Sequence, residues 1–320
     1  MSTPASFTME RELSDGSFRR QQSRFRRSVV DEPQAEFPVV AGRYHLYVSL
    51  ACPWSQRAAI VRVLRGLQGV VQISYVSPFR DERGWAFTGE RFEDGPGGVY
   101  ADRLHGWQLL SSAYKATDAA YDGRVSVPVL WDAATGQIVS NESADIVRMF
   151  TSSASLGALG SGPDLFPEAL RDEIERVNER VYETVNNGVY LAGFARTQEA
   201  YEAAFARLFD SLQWLEELLG TRRYLAGDRL SEADWRLFVT LVRFDEVYHV
   251  HFRCNRRRIV EYPQLWAYTR ELYQWPGVAE TVAMAQIKRH YYTTHDELNP
   301  KRIIPVGPAP DFLAPHGRGA

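Results

Sequence analysis

The spacing of apolar residues divides the chain into two halves. In the first half, short stretches rich in β-branched and aromatic residues alternate with segments whose apolar residues recur every three or four positions. The former predict strands and the latter predict helices. The predicted strands are 44–50, 69–76, 126–132 and 136–140, and the predicted helices are 53–66, 109–119 and 141–150. Their order, β-α-β-α-β-β-α, predicts an α/β thioredoxin-like domain over residues 39–152.

The second half has the apolar period of a helix almost throughout. Segments with this period are 168–190, 199–220, 231–252 and 264–275. Small polar residues and glycines at 153–166 predict a linker before them. We therefore expect an all-α domain over residues 167–298. The proline-rich tail, 299–320, cannot be helical and is predicted to lie extended.

Two further segments do not fit these domains. Residues 77–108 are rich in glycine, tryptophan and phenylalanine, which predicts an ordered insertion. An N-terminal extension, 1–38, carries the basic run "RRQQSRFRR" at 19–27. With a net charge of −3 the chain has no general attraction to nucleic acid, so we interpret this run as a solvated surface segment and not as a nucleic-acid-binding arm.

The apolar content and the cysteines restrict the class of protein. The 320 residues are 45% hydrophobic, which is enough for two domain cores. No secretory signal and no apolar run of about 18 residues is present, so we expect no membrane segment. Cys52 and Cys254 are far apart in sequence, which predicts no disulfide scaffold and favours a reducing, cytoplasmic location.

Cys52 lies where a predicted strand meets a predicted helix, directly before Pro53. The free N–H groups and the dipole at a helix N-terminus favour a thiolate over a thiol. We therefore predict that Cys52 is a nucleophile. Redox proteins often have a second cysteine three residues later, but this chain has Ser55 there. A mixed disulfide on Cys52 would thus need an external thiol to resolve it.

Two other motifs complete a predicted glutathione site. Val127 precedes Pro128 at a strand start, where thioredoxin-like domains keep a cis-proline that exposes the preceding backbone to an extended peptide. Glu142 and Ser143 open a predicted helix, whose N–H and hydroxyl groups can hold a carboxylate. Their order predicts that the γ-glutamyl end lies near Ser143 and the sulfur near Cys52.

The motif "HVHFRC" contains three possible metal ligands, His249, His251 and Cys254. On a helix the two histidines point about 200° apart, so only His251 and Cys254 share a face. We expect no metal site here and interpret Cys254 as a core thiol.

The sequence strongly resembles the glutathionyl-hydroquinone reductases, the omega-like Xi class of glutathione transferases. The resemblance covers nearly the whole chain and rests on "ACPWSQRA", "DERGWAF", "VPVLWD", "NESADI", "VNNGVYLAGFA", "LSEADWRLF", "IKRHYY" and the tail "NPKRIIPVGP". It implies that the all-α domain is the C-terminal helical domain of a glutathione transferase. It also implies glutathione as cosubstrate with no permanently bound cofactor, and a homodimer.

The resemblance also implies roles for individual residues. Cys52 would be the catalytic nucleophile. The glutathione-binding residues would be Trp85 packing on the peptide, Arg124 binding a carboxylate, Val127 pairing with the cysteinyl backbone, and Glu142 and Ser143 holding the γ-glutamyl group. Tyr190, Tyr248 and Tyr291 would line a quinol pocket in the helical domain, with Tyr190 and Tyr291 also catalytic. Ser55 stands where many members have alanine, a small change.

The predicted activity is reduction of a glutathionyl-hydroquinone to the hydroquinone through a Cys52–glutathione mixed disulfide, with release of oxidised glutathione. The alternatives are a conjugating glutathione transferase, a thiol transferase with dehydroascorbate-reductase-like activity, and a non-enzymatic binding module. Cys52 argues against the first, and an intact nucleophile argues against the last. A different small thiol with similar carboxylates is an alternative cosubstrate.

Overall fold

The computed structural model describes residues 13–14 and 16–319, which group by their contacts into two compact units. The first unit contains Gln21–Pro163 and Glu280–His295. The second unit contains Asp164–Ala279 together with residues 13–14, 16–20 and 296–319. Each unit has its own secondary structure and is described separately below.

The strands and helices are bounded as follows. The strands are β1 (Leu13–Ser14), β2 (Ser17–Phe18), β3 (Tyr44–Val48), β4 (Val71–Tyr75), β5 (Val129–Asp132) and β6 (Gln137–Ser140). The helices are α1 (Pro53–Leu64), α2 (Ser111–Thr117), α3 (Ser143–Thr151), α4 (Arg171–Val181), α5 (Gly188–Gly193), α6 (Gln198–Leu219), α7 (Glu232–Arg243), α8 (His249–His251), α9 (Pro263–Tyr273) and α10 (Met284–Thr294). No helix in this described part of the chain is long and apolar enough to cross a bilayer.

The first unit is built on a four-stranded mixed sheet with the order β4-β3-β5-β6. The central strand β3 is parallel to β4 and antiparallel to β5, and β5 forms a hairpin with β6. All five residues of β3 are buried, as expected for a strand paired on both sides. The α/β thioredoxin-like order predicted from the sequence is confirmed.

The aromatic insertion, residues 77–108, contributes to the core of the first unit. Trp85 and Phe87 are buried in one cluster with Tyr47 and Trp131. Trp107 packs edge-on against Trp131, with ring centroids 5.3 Å apart. Burial of these large rings stabilises the insertion although it forms only isolated β-bridges.

Helix α10, which lies within the predicted all-α domain 167–298, groups by its contacts with the first unit. Its contacts with the insertion give the physical reason. Asp94 accepts a hydrogen bond from the Ala285 N–H at 2.7 Å, and Gln286 Nε2 donates to the Asp94 carbonyl at 2.9 Å. These bonds join the start of α10 to the insertion.

The second unit contains helices α4 to α9, in agreement with the helical period of its sequence. Two predicted helices, 168–190 and 231–252, are not continuous. Each contains one π-helical turn, at Tyr182–Asn186 and at Phe244–Tyr248. A π-turn adds one residue to a helical turn and rotates the residues that follow, which apolar spacing does not reveal.

The tail after residue 299 contains no helix or strand and lies along α9. Phe312 stacks on Tyr273 with ring centroids 5.0 Å apart, and Gln274 donates hydrogen bonds to two tail carbonyls. Arg318 forms an ion pair with the buried Glu271 at 2.5 Å. Polar anchors and the contacts of Phe312 with Tyr273 and Trp266 thus hold a segment whose prolines prevent a helix.

Candidate functional site

Cys52 is the N-cap residue of α1, with an extended backbone and Pro53 at the first helical position. Its side chain is half-buried. The first turn of α1 contains no acidic side chain. The sequence-predicted strand-to-helix placement of Cys52 is therefore confirmed.

Val127 lies directly opposite this cysteine. The Val127–Pro128 peptide bond is cis, as predicted. The Val127 carbonyl oxygen is 3.9 Å from Cys52 Sγ, which is within the range of a weak thiol hydrogen bond. The Cys52 thiol at the start of α1 and the Val127–Pro128 peptide just before β5 are thus close to each other.

Glu142 and Ser143 begin α3, and both take part in a hydrogen-bond network with a buried arginine. Glu142 is the N-cap residue and accepts a hydrogen bond from the Ala144 N–H at 3.0 Å. Arg57 of α1 donates to Ser143 Oγ from Nε (3.1 Å) and Nη2 (2.7 Å). Its guanidinium also lies 3.6 Å from Glu142 Oε1. Arg57 therefore links the helix that begins at Cys52 to the helix that begins at Ser143.

The sequence analysis did not identify Arg57 as part of the site, although its position in the sequence indicated it. It is only 2% exposed, and it directly precedes the apolar run 58–61 of α1. A buried guanidinium requires polar partners, because an unpaired buried charge is strongly unfavourable. An arginine in the first turns of this helix, five residues after the cysteine and next to an apolar run, was therefore a clue to this network.

Trp85, predicted to pack on glutathione, is 3% exposed and contacts two cationic or titratable side chains. The Arg80 guanidinium lies 5.4 Å from its ring centroid. The His290 imidazole stacks on it at 5.2 Å with an interplanar angle of 21°. His290 Nδ1 is 2.7 Å from the Pro78 carbonyl oxygen, which fixes the imidazole against the insertion.

Arg124, predicted to bind a carboxylate, is half-buried before β5. Its backbone is held at both polar groups. The Arg124 N–H donates to Gln21 Oε1 at 3.3 Å, and its carbonyl accepts from the Tyr121 hydroxyl at 2.6 Å. This loop is thus positioned partly by the N-terminal extension.

The three predicted quinol-site tyrosines do not all belong to one unit. Tyr291 lies on α10 in the first unit and is 1% exposed. Its ring makes edge contacts with His290 and His295. Tyr190 and Tyr248 lie in the second unit, with ring centroids 6.0 Å apart. The sequence analysis assigned all three tyrosines to the helical domain, and in the structure Tyr291 groups by its contacts with the first unit.

Tyr190 and Tyr248 are part of an aromatic cluster in the second unit. Phe252 stacks on Tyr248 at 5.5 Å and meets Tyr190 edge-on at 5.4 Å. Phe18 of β2 stacks on Tyr190 at 6.3 Å, and the Arg20 guanidinium lies 5.0 Å from the Tyr190 centroid. We call these rings, Phe18, Tyr190, Tyr248 and Phe252, the tyrosine cluster.

The motif "VNNGVYLAGFA" builds this cluster. Asn186 Nδ2 donates to Thr240 Oγ1 of α7 at 2.7 Å, and Asn187 Oδ1 accepts from Arg20 Nε at 3.1 Å. A Cβ at Gly193 would lie 2.3 Å from Phe252 Cγ, well inside van der Waals contact. The motif therefore needs its asparagines for anchoring and its second glycine for close approach to an aromatic ring.

Cys254 and His251, two of the three possible metal ligands in the motif "HVHFRC", are buried side chains. Cys254 is fully buried, as predicted, and burial raises the pKa of its thiol. Burial also lowers the pKa of His251 to about 4. Within residues 13–14 and 16–319 there is no group of three or more histidine, cysteine or carboxylate side chains suited to a metal ion.

Comparison with known proteins identifies similar sequences over nearly the whole chain. A family model described as the glutathione S-transferase N-terminal domain matches residues 51–153, and one for the C-terminal domain matches residues 198–271. Glutathionyl-hydroquinone reductase YqjG of Escherichia coli (strain K12) is 47% identical, covering 95% of this chain and 92% of its own length. Glutathionyl-hydroquinone reductase PcpF of Sphingobium chlorophenolicum is also 47% identical, covering 92% of this chain and 91% of its own.

Solved structures agree with this result. An Xi class transferase from Natrialba magadii has a TM-score of 0.88 and 47% identity, covering 92% of this chain and 88% of its own. The glutathione-bound structure of YqjG has a TM-score of 0.86 and 46% identity, covering 92% of this chain and 96% of its own. This chain is therefore similar to Xi class transferases in sequence and in fold over most of its length.

Proposed function

Since the chain belongs to the Xi class of glutathione transferases, the family of the glutathionyl-hydroquinone reductases, we propose that it reduces glutathionyl-hydroquinones with glutathione. The observation that carries this proposal is Cys52 at the N-cap of α1, 3.9 Å from the Val127 carbonyl oxygen. Position 55 is a buried serine, so the nucleophile has no neighbouring thiol to resolve it.

The first unit supplies the proposed glutathione-binding groups. Val127 pairs with the cysteinyl backbone, which aligns the glutathione sulfur with Cys52 Sγ. Glu142 accepts the γ-glutamyl ammonium group, and Ser143 with the α3 N-terminus binds the γ-glutamyl carboxylate. Trp85 packs on the peptide and Arg124 binds its second carboxylate. The Arg57 network supports this assignment because it fixes Ser143 and approaches Glu142.

The proposed reaction has two thiol-exchange steps. In the first, the Cys52 thiolate attacks the sulfur of the glutathionyl-hydroquinone, an S–S bond forms and the C–S bond breaks. The ring leaves with the C–S electron pair and is thereby reduced, and a proton completes the hydroquinone. In the second, a glutathione thiolate attacks the glutathionyl sulfur of the mixed disulfide, which releases oxidised glutathione and restores the Cys52 thiolate.

A thioether is a poor partner for thiolate attack, so the ring must first become a better leaving group. A keto tautomer meets this need, since the departing electron pair then forms a phenolate. The hydroxyl groups of Tyr190, Tyr248 and Tyr291 are the proposed hydrogen-bond donors to the oxygens of the quinol. Aromatic contacts between Tyr190, Tyr248 and Phe252 support a role in ring recognition.

We also propose that the enzyme acts in the cytoplasm and as a homodimer. Two free cysteines fit a reducing compartment, which the thiolate chemistry requires. The homodimer rests on the family resemblance, and light scattering on the purified protein tests it directly.

The activity is tested by incubating the protein with a glutathionyl-hydroquinone and excess glutathione. We expect hydroquinone and oxidised glutathione to appear in equal amounts. Cys52→Ala should abolish turnover, and Cys254→Ala serves as a matched control because that thiol is buried in the second unit. Full turnover by Cys52→Ala contradicts the proposal. Strong conjugation of a chloronitrobenzene would instead favour an ordinary conjugating transferase.

A further inference from the structure

The end of the N-terminal extension lies beside the proposed glutathione-binding residues of the first unit. We call residues 21–27 the strap. The Phe25 N–H donates to Asn141 Oδ1 at 3.0 Å, and the Asn141 N–H donates to the Phe25 carbonyl at 3.0 Å. Arg26 makes two hydrogen bonds of 2.8 Å to Asp145 in the first turn of α3. The sequence predicted a solvated segment here, but the structure fixes it to the start of α3.

The strap contacts the site directly through Ser23. Ser23 Oγ donates a hydrogen bond to Glu142 Oε2 at 3.0 Å. The Asn141 carbonyl oxygen is 3.2 Å from the same hydroxyl, but the charged carboxylate is the stronger acceptor for its single proton. The other carboxylate oxygen, Oε1, accepts from the Ala144 N–H and lies 3.6 Å from Arg57. The strap thus holds one carboxylate oxygen of Glu142, and the start of α3 holds the other.

We propose that Ser23 is a positioning residue for glutathione, which fixes the Glu142 carboxylate that receives the γ-glutamyl ammonium group. The inference rests on the proposed function, because that function assigns the γ-glutamyl group to Glu142. A glutamate side chain loses rotamer freedom when it binds a ligand, and a side chain held in advance loses less. The side chain of Glu142 is still 30% exposed, so holding it does not bury it.

The strap also has a structural role, which depends on its main chain and not on the Ser23 side chain. The Arg27 N–H donates to the Val139 carbonyl at 3.0 Å, and Arg26 forms an antiparallel bridge with Ser140. These bonds cover the edge strand β6, which protects an open sheet edge. They involve the main chain and do not need the Ser23 hydroxyl, so removing that hydroxyl should leave the strap in place.

The test is calorimetric titration of reduced glutathione into the full-length protein and its variants. Ser23→Ala should raise the dissociation constant roughly three- to tenfold, because the Glu142 side chain is then no longer held in advance and loses more rotamer freedom on binding. Ser23→Thr keeps the hydroxyl and should restore wild-type binding. Ser28→Ala, at an exposed serine just beyond the strap, is the matched control. The thermal midpoint should be the same for all variants.

Turnover separates positioning from catalysis. Ser23→Ala should raise the KM for glutathione while kcat at saturating glutathione stays at the wild-type value. Wild-type binding by Ser23→Ala overturns the inference but leaves the proposed function intact. A lowered thermal midpoint with unchanged affinity also overturns it, since that result assigns Ser23 a structural role. Failure of the wild-type protein to bind glutathione overturns the proposed function as well.

Discussion

The two units differ in the forces that hold their functional side chains. In the first unit, Arg57 donates two hydrogen bonds to Ser143 and forms an ion pair with Glu142, which also accepts a hydrogen bond from the Ala144 N–H. In the second unit, Tyr190, Tyr248 and Phe252 are held by ring contacts at centroid distances of 5.4 to 6.0 Å. The first arrangement suits a ligand with charges at fixed positions. The second suits a flat ring and places few demands on its substituents.

This difference teaches how each part should respond to mutation. A hydrogen-bond network loses function when one polar partner is removed, because the remaining partners are left unsatisfied. A ring cluster loses function when its packing is displaced, even if every hydroxyl is kept. Substitutions in the hydrogen-bond network should therefore weaken glutathione binding, and substitutions in the tyrosine cluster should weaken recognition of the quinol ring while leaving glutathione binding unchanged.

The largest effect is expected from Arg57→Ala. Without the guanidinium, Ser143 loses two hydrogen bonds and Glu142 loses a nearby positive charge. We expect the dissociation constant for glutathione to rise about 100-fold, which corresponds to about 2.7 kcal/mol. Calorimetry with glutathione measures the change.

Arg62→Ala is the matched control for this change. Arg62 is a second buried arginine of α1, but it donates to the carbonyls of Val71 and Gln68. Its loss should lower the free energy of unfolding while leaving glutathione affinity close to wild type. Equal loss of affinity in both variants would mean that burial, and not the network, determines binding.

A smaller effect is expected from Gly193→Ala in the second unit. The added Cβ would overlap Phe252 Cγ at 2.3 Å, so the ring that stacks on Tyr248 must move. Overpacking of this kind costs about 1–3 kcal/mol of unfolding free energy. Displacement of the stacked rings of Phe252 and Tyr248 should raise the KM for the glutathionyl-hydroquinone about tenfold, while glutathione affinity is unchanged.

Gly188→Ala, on the same helix, is the control for Gly193. Its Cβ would lie 3.7 Å from Leu208, an ordinary contact. If the two alanine variants have the same quinol kinetics, the close approach at Gly193 does not shape the quinol site, and the proposed contrast between the two units fails.

The last prediction concerns stability and not activity: both units should be sensitive to acid. Burial lowers the pKa of His45 in the first unit and of His251 in the second to about 4, from 6.5. The unfolded chain then binds more protons than the folded protein between these values. Each histidine's contribution to stability is therefore present above pH 6.5 and is lost as the pH falls toward 4, by about 2 kcal/mol at pH 4.5.

Urea unfolding at pH 7 and pH 4.5 measures this loss. His45→Gln should reduce the difference between the two pH values by about 2 kcal/mol. Equal acid sensitivity in wild type and His45→Gln would show that His45 is not buried as a neutral ring.

The sequence predicted the elements that local patterns encode. Strand-to-helix placement of Cys52 followed from a β-rich stretch before Pro53, and the cis bond at Pro128 followed from its position at a strand start. These features depend on neighbouring residues, so they are visible in one stretch of sequence. The helical content of the second half followed in the same way from its apolar period.

Features that depend on distant residues were not predicted. Arg57 and Ser143 are 86 residues apart, and Ser23 and Glu142 are 119 apart, so their hydrogen bonds leave no periodic trace. The π-turn that ends at Tyr248 shifts the helix phase without changing the apolar pattern. Helix α10 groups with the first unit, and one of the bonds that join it to this unit is between Ala285 and Asp94, which are 191 residues apart.

Mass spectrometry of the trapped intermediate tests the central claim most directly. The protein is mixed with one equivalent of a glutathionyl-hydroquinone in the absence of free glutathione, digested without reductant and analysed. We predict one glutathionyl group on the peptide containing Cys52, none on the peptide containing Cys254, and an equal amount of free hydroquinone. Release of hydroquinone with Cys52 unmodified would contradict the account.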